Sequence, residues 1–239
     1  MKEIALINHG CAKNLVDSEL MLGKLTQKGY KITLDDSKAD IVIVNTCSFI
    51  HDAEKESVQS IFEMINSGKK VIITGCLPQK YKKELQELIP EASAFLGTSE
   101  LDKIADVIMQ LDGNNVTYEV DENPQYEYPE DIKRQQITMG ASSYIKIADG
   151  CDFKCGYCII PQLRGPYKSR KIENIVKEAK ELAEKGVNEI VLIAQDTTSY
   201  GKDIYKKPSL KELLTELNKI EDVIMQLDGN NVTYEVDEN

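Results

Sequence analysis

The chain has 239 residues, of which 41% are hydrophobic and 29% charged, with a formal net charge of −11. That length supports one large or two ordinary domains with real cores. The acidic balance argues against a bare nucleic-acid binder, whose phosphate-neutralising face needs clustered Lys and Arg, so direct nucleic-acid binding is not expected.

No run approaches the ~18–20 apolar residues of a membrane span. The opening MKEIALINHGC suits a first strand and not a signal peptide. Six cysteines and only two histidines, His9 and His51, with no secretory leader, point to metal or catalysis before disulfides, in a reducing cytoplasm.

In chain order, β-type runs are expected at Ile4 to Asn8, Ile41 to Asn45, Val71 to Thr74 and Ala94 to Leu96. Helical patterns lie between them, such as Val58, Ile61, Phe62 and Ile65 on one apolar face, closed by Gly68. This alternation predicts an α/β fold: a parallel-sheet N-terminal domain over residues 1–122. Residues 123–138, including DENPQYEYPEDIKRQQ, are acidic, proline-bearing and aperiodic, and read as an interdomain linker. A second α/β region over 139–221 opens with the strand Tyr144 to Ile147. A helix at Ile172 to Lys185, a buried-type strand at Glu189 to Ala194, and a capping box Ser209-Leu210-Lys211-Glu212 opening another helix follow.

Residues 222–239 repeat residues 106–123 letter for letter, DVIMQLDGNNVTYEVDEN. Solenoid repeats drift and recur three or more times. An identical pair in a non-repetitive chain reads as a recombination or assembly artefact and carries no information about mechanism.

Cys151, Cys155 and Cys158 form C-x3-C-x2-C in GCDFKCGYC, directly after a predicted strand. Three thiolates at this spacing can wrap one iron–sulfur cube and leave its fourth iron without a protein ligand. The alternative, a zinc knuckle, would want a fourth nearby Cys or His, and none follows. Cys11, Cys47 and Cys76 stand far apart in sequence, each just beyond a predicted strand. In a parallel sheet those ends share one edge, so the three thiols can converge there. The other reading is three ordinary buried cysteines.

These residues resemble a known family. C-x3-C-x2-C with Tyr157 before the last Cys is similar to radical S-adenosylmethionine enzymes. The N-terminal cysteine triad adds the methylthiotransferase domain. CAKNLVDSE (Cys11 to Glu19), NTCSFI (Asn45 to Ile50) and AQDTTSYG (Ala194 to Gly201) look like the branch acting on a ribosomal protein, where the tRNA branch carries an Asn-rich segment.

The resemblance implies two 4Fe-4S clusters, one on Cys151, Cys155 and Cys158 that binds S-adenosylmethionine and yields a 5′-deoxyadenosyl radical, the other on Cys11, Cys47 and Cys76. It implies transfer of a methylthio group to the β-carbon of an aspartate in a small-subunit ribosomal protein, with a reducing electron donor as a second partner. Tyr157 is carried over as lying beside the adenine. Gln195 and Asp196 are carried over as contacting the methionine moiety or substrate, with a simple turn cap as the other role for Asp196. Arg164 and Arg170, in PQLRGPYKSR, could pair with carboxylates. No catalytic residue is assigned. His9 and Lys168 depart from the family's usual residues, and His9 is read as a packed polar side chain.

A complete (β/α)8 barrel runs to about 250 residues. The second region is therefore expected to be a truncated radical-SAM barrel, with an open sheet edge and impaired turnover. Two alternatives are kept: a tRNA adenosine methylthiotransferase and a non-catalytic iron–sulfur domain.

Overall fold

The computed structural model describes residues 2–111, 116–137, 140–221 and 223–227. The chain forms two compact units, residues 1–135 with 155–165, and residues 136–154 with 166–239.

The first unit is built from β1 (Glu3–Asn8), α1 (Ala12–Gln27), β2 (Lys31–Ile32), β3 (Ile41–Thr46), α2 (His51–Asn66) and β4 (Lys70–Gly75). It continues through α3 (Cys76–Tyr81), α4 (Lys83–Leu88), β5 (Ala94–Leu96), α5 (Ile104–Gln110) and β6 (Thr117–Glu119). Its six strands are all parallel, in the order β2-β1-β3-β4-β5-β6. The order reverses between β1 and β3, so a crevice opens outside their carboxyl ends, where doubly wound sheets bind ligands.

β3 reads IVIVNT because both its faces are covered. Ile41 and Ile43 pack with Met21, Leu25 and Ile104, while Val42 and Val44 pack with Ile61, Leu77 and Leu85. A strand buried on both faces carries a continuous apolar run instead of an alternation. Each such side chain contributes about 1.5–3 kcal/mol of burial. α2 follows the predicted apolar face through Val58, Ile61 and Ile65, and Gly68 takes the positive φ of 73° that ends it. Phe62 departs from that expectation: it is 39% exposed, on the shoulder of the buried stripe.

The predicted linker is also corrected. Residues 124–135 pack on the first unit: Tyr126, Ile132 and Arg134 are buried, Arg134 Nε lies 2.9 Å from Glu19 Oε2, and Gln135 N donates to Glu19 O at 3.0 Å. Composition alone reads as solvated chain, but three side chains anchor it.

The second unit contains β7 (Ser142–Lys146) and β8 (Ala148–Asp149). The short helix α6 (Ile160–Arg164), which belongs to the first unit, follows in the chain. Then come β9 (Lys168–Ser169), α7 (Ile172–Glu184), β10 (Glu189–Ile193), α8 (Leu210–Leu217) and β11 (Ile224–Leu227). β11-β10-β7 form a parallel sheet, and β8 pairs antiparallel with β9. α7 and α8 cover the sheet through Ile175, Ala179, Leu182, Leu213 and Leu217. Ser209 does stand at the start of α8, but its hydroxyl donates to Lys207 O at 3.1 Å and makes no capping bond to the helix. The capping-box expectation is overturned there.

β11 comes from the repeated segment, whose residues 228–239 lie outside the described residues. In the first copy, Val107 and Ile108 are buried on one face of α5, and Leu111 just after it is buried too. In the second, Val223, Met225 and Leu227 pack inward from a strand and Ile224 is 59% exposed. The same letters satisfy a period of 3.6 in one place and of 2 in the other. The second copy thereby pairs one side of β10, and β11 and β7 become the edges of the described sheet. Deleting residues 222–239 should speed amide hydrogen exchange in those β10 residues that bond to β11, because an unpaired edge exposes backbone groups. Unchanged protection in β10 would show that β11 contributes nothing to the sheet.

Candidate metal centre

The carboxyl ends of β1, β3 and β4 each deliver one cysteine. Cys11 is the residue just before α1, Cys47 follows β3 directly, and Cys76 is the first residue of α3. All six cysteines of the chain are free thiols. Cys47 and Cys76 are buried, while Cys11 is exposed.

Two glycines let the thiols approach. Gly10 holds φ at 95°, and a Cβ there would sit 2.7 Å from Cys47 Cβ and 3.0 Å from Cys47 Sγ. Gly75 holds φ at 90°, and a Cβ there would meet Asn45 Oδ1 at 2.4 Å. Only glycine fits either position.

The buried amide of Asn14, on the first turn of α1, joins the parts. Its Nδ2 donates to His9 O at 3.1 Å and to Thr46 O at 2.9 Å. Its Oδ1 accepts from Arg164 Nη2 at 2.5 Å and lies 4.0 Å from the Sγ of both Cys11 and Cys76. Arg164 Nη1 also donates to Asp17 Oδ2 at 2.5 Å, with both side chains 3% exposed. Asn45 Nδ2 donates to Asn14 O and Ser18 Oγ, each at 2.8 Å, and the Ser18 hydroxyl donates to Asn8 Oδ1 at 2.9 Å. Cys47 N donates to Ser57 Oγ at 3.0 Å. Burial pushes the Cys76 thiol above its ordinary pKa; the Arg164 guanidinium pulls it down, and negative charge on Cys47 and Cys11 adds to the rise.

His9 is packed as expected, its Nε2 2.8 Å from Ser60 Oγ. Asn14, Asp17 and Ser18 were not singled out from the sequence. Their signal was there: three polar residues at i, i+3 and i+4, one face of a helix, immediately after a cysteine.

In the second triad, Cys151 and Cys158 are half-buried and Cys155 is exposed. Cys151 belongs to the second unit, Cys155 and Cys158 to the first. Cys158 N donates to Cys155 O at 3.0 Å, and Asp152 Oδ1 accepts from Tyr167 N at 3.0 Å. Tyr157 is 95% exposed. Among the described residues, no three Cys, His, Asp or Glu side chains are arranged to hold a single metal ion.

At the carboxyl ends of β7 and β10, Lys146 Nζ pairs with Asp149 Oδ2 at 2.7 Å, both side chains 1% exposed or less. Gln195 Nε2 donates to Asp149 Oδ1 at 2.6 Å. The buried Gln195 Oε1 has no hydrogen-bond partner among the described residues. Asp196 caps the turn after β10, accepting from Thr198 N at 3.0 Å and from the Thr198 and Ser199 hydroxyls at 2.6 and 2.5 Å. Burial works to raise its pKa, and these hydrogen bonds outweigh that and leave it below the ordinary value. Of its two expected roles, the turn cap is the one formed. Arg170 Nη1 donates to Glu178 Oε2 at 2.7 Å and to Lys146 O at 2.9 Å, so both arginines of PQLRGPYKSR do meet carboxylates.

Residues 3–97 match the Uncharacterized protein family UPF0004, and residues 145–238 match the Radical SAM superfamily. Two solved structures of the radical S-adenosylmethionine methyltransferase TsrM from Kitasatospora setae superpose with a TM-score of 0.57. They are 14% and 16% identical, over 90% of this chain and 51% and 52% of theirs, a likeness of fold. The two family matches make the chain a two-part protein, a UPF0004 portion followed by a Radical SAM portion. The chain is 47% identical over 218 residues to the ribosomal protein uS12 methylthiotransferase RimO of Crocosphaera subtropica, covering 91% of this chain and 50% of that protein. With that of Synechocystis sp. it shares 47% over 216 residues, covering 90% and 49%. The chain belongs to the radical-SAM methylthiotransferase family and is of the RimO type. It spans about half the length of the curated relatives it matches.

Replacing Asn14 with Leu keeps the volume near native but strands the His9 and Thr46 carbonyls and removes one acceptor from a buried guanidinium. The expected loss is about 3 kcal/mol or more in chemical denaturation. A loss below about 1 kcal/mol would mean the amide is dispensable.

Proposed function

We propose that this chain carries the cofactor-binding portion of an enzyme that adds a methylthio group to the β-carbon of an aspartate in a small-subunit ribosomal protein. The observation that supports this most is the gathering of Cys11, Cys47 and Cys76 around Gly10 and Asn14 at the switch point of the sheet. The names of the relatives supply the substrate.

The donor set suits an iron–sulfur cluster. Cys11, Cys47 and Cys76 would hold one, and Cys151, Cys155 and Cys158 the other, with a fourth iron of each open for a further ligand. When bound, the clusters and S-adenosylmethionine supply the carbon radical, the sulfur and the methyl group.

The chain's own residues ligate, orient and exclude water. Gln195 Oε1, buried and unpartnered among the described residues, would accept a hydrogen bond from the amino group of S-adenosylmethionine. Asp149 fixes the other end of that amide. The ring of Tyr157 would lie beside the adenine. A reducing electron donor and a compartment that keeps thiols reduced belong to the same proposal. No helix among the described residues is long and apolar enough to cross a membrane.

Two measurements test this. The chain is expressed without oxygen, reconstituted with iron and sulfide, and assayed for iron and for S-adenosylmethionine cleavage after reduction. Eight irons per chain and cleavage are expected from two four-iron clusters. Cys151→Ala with Cys155→Ala and Cys158→Ala should remove cleavage and leave one cluster. Uptake of one zinc and no sulfide would sink the reading. Gln195→Leu should keep both clusters yet weaken S-adenosylmethionine binding about tenfold, the effect of one buried hydrogen bond worth about 1.4 kcal/mol. Unchanged affinity in equilibrium dialysis would take Gln195 out of the binding site.

A further inference from the structure

Arg164 lies six residues beyond Cys158 in the chain, yet its side chain is buried beside the N-terminal cysteines. The segment that carries it is built into the first unit. Leu163 is fully buried, its carbonyl accepts from Thr98 Oγ1 at 2.5 Å, and Gly165 holds φ at 73° where a Cβ would fall 2.0 Å from Pro124 O. Cys155 and Cys158 belong to this same segment, Cys155–Gly165. The guanidinium then forks, one arm to Asp17 and one to Asn14, whose Oδ1 lies 4.0 Å from the Sγ of Cys76 and of Cys11.

A buried cation is costly unless matched by nearby negative charge. Asp17 supplies one match, and a triad of ligating thiolates would supply more. We propose that Arg164 is a positioning residue of the N-terminal cluster: it holds Asn14, Asp17 and Cys76 in place and lends positive charge to that site. This deepens the reading of Cys11, Cys47 and Cys76 as cluster ligands and rests on it.

One consequence follows from the chemistry. Reduction adds negative charge to a cluster, and a cation held beside its ligand sulfurs favours the reduced form. Removing Arg164 therefore lowers the potential, and neutralising Asp17 raises it.

The experiment uses the full chain with Cys151→Ala, Cys155→Ala and Cys158→Ala, so that only the N-terminal cluster remains. Iron and sulfide content and the midpoint potential, by titration with electron paramagnetic resonance, are read for this parent, for Arg164→Gln and for Asp17→Asn. Arg164→Gln is expected to shift the potential negative and to weaken iron retention against a chelator on the order of tenfold. Asp17→Asn is expected to shift it positive. A purely packing role would move stability without producing shifts of opposite sign. Equal potentials in all three overturn the inference while leaving the cluster reading intact. Should Arg164→Gln fail to fold, Asp17→Asn decides by itself, and no positive shift there overturns it. A parent without any four-iron cluster removes the reading of the triad, and the inference with it.

Discussion

The candidate site hangs from one strand whose position is fixed by its polar end. β3 is apolar on both faces, Ile41 and Ile43 to one side and Val42 and Val44 to the other. A slip of one residue would exchange apolar for apolar, so hydrophobic pattern specifies its register only weakly. The residues that cannot slip are Asn45 and Thr46. Asn45 Nδ2 must reach Asn14 O and Ser18 Oγ on α1, and Thr46 Oγ1 donates to Thr74 O on β4 at 2.6 Å and accepts from Leu77 N at 3.1 Å. Leaving such groups unpaired in an apolar layer costs about 1–3 kcal/mol each. These bonds lock β3 against both α1 and β4, and with it the position of Cys47 relative to Cys11 and Cys76.

Much of this was legible in the sequence. A strand followed by a cysteine, three times over, is a local pattern, and a parallel sheet turns it into a shared edge. The strands do end at Asn8, Thr46 and Gly75, within a residue of expectation. What could not be read is whatever depends on long-range packing. Asn14, Asp17 and Ser18 would be a solvated helix face if nothing covered them. Their partner Arg164 stands 147 residues from Asp17 in sequence. No local pattern predicts that pairing. The acidic stretch before β7 failed for the same reason, since Tyr126 donates to Asp17 Oδ1 at 3.4 Å across 109 residues and turns a linker into part of the first unit.

The repeated segment isolates that effect of context. With the letters identical, position in the fold selects helix for Ile108, Met109 and Gln110 and strand for their counterparts Ile224, Met225 and Gln226. Intrinsic preference is weak for such a mixture of Ile, Val, Met and Gln, so the partner surface decides. α1 offers a groove that rewards burial at i, i+3 and i+4, and β10 offers a row of backbone groups that rewards extension. The reading of the segment as uninformative about mechanism is compatible with its having a structural place in the second sheet.

The two units also share a design that stability alone does not explain. Each places a buried ion pair at the carboxyl ends of its strands: Arg164 with Asp17 in the first, Lys146 with Asp149 in the second. Replacing a buried pair by apolar residues is often neutral or stabilising by about 1–4 kcal/mol, so such pairs add little to the fold for their desolvation. What they do fix is direction. Asp17 and Asn14 hold the Arg164 fork in place, with Asn14 Oδ1 4.0 Å from Cys76 Sγ, and Asp149, held by Lys146, aims the amide of Gln195 so that its carbonyl oxygen is left to accept. In both places a carboxylate is held by or holds a cation so that a neighbouring donor or acceptor faces the strand ends, which is where cysteines stand and where ligands of parallel sheets bind. The placement of these charges is what the proposed clusters and S-adenosylmethionine would call for, and the cores beneath them do not require it.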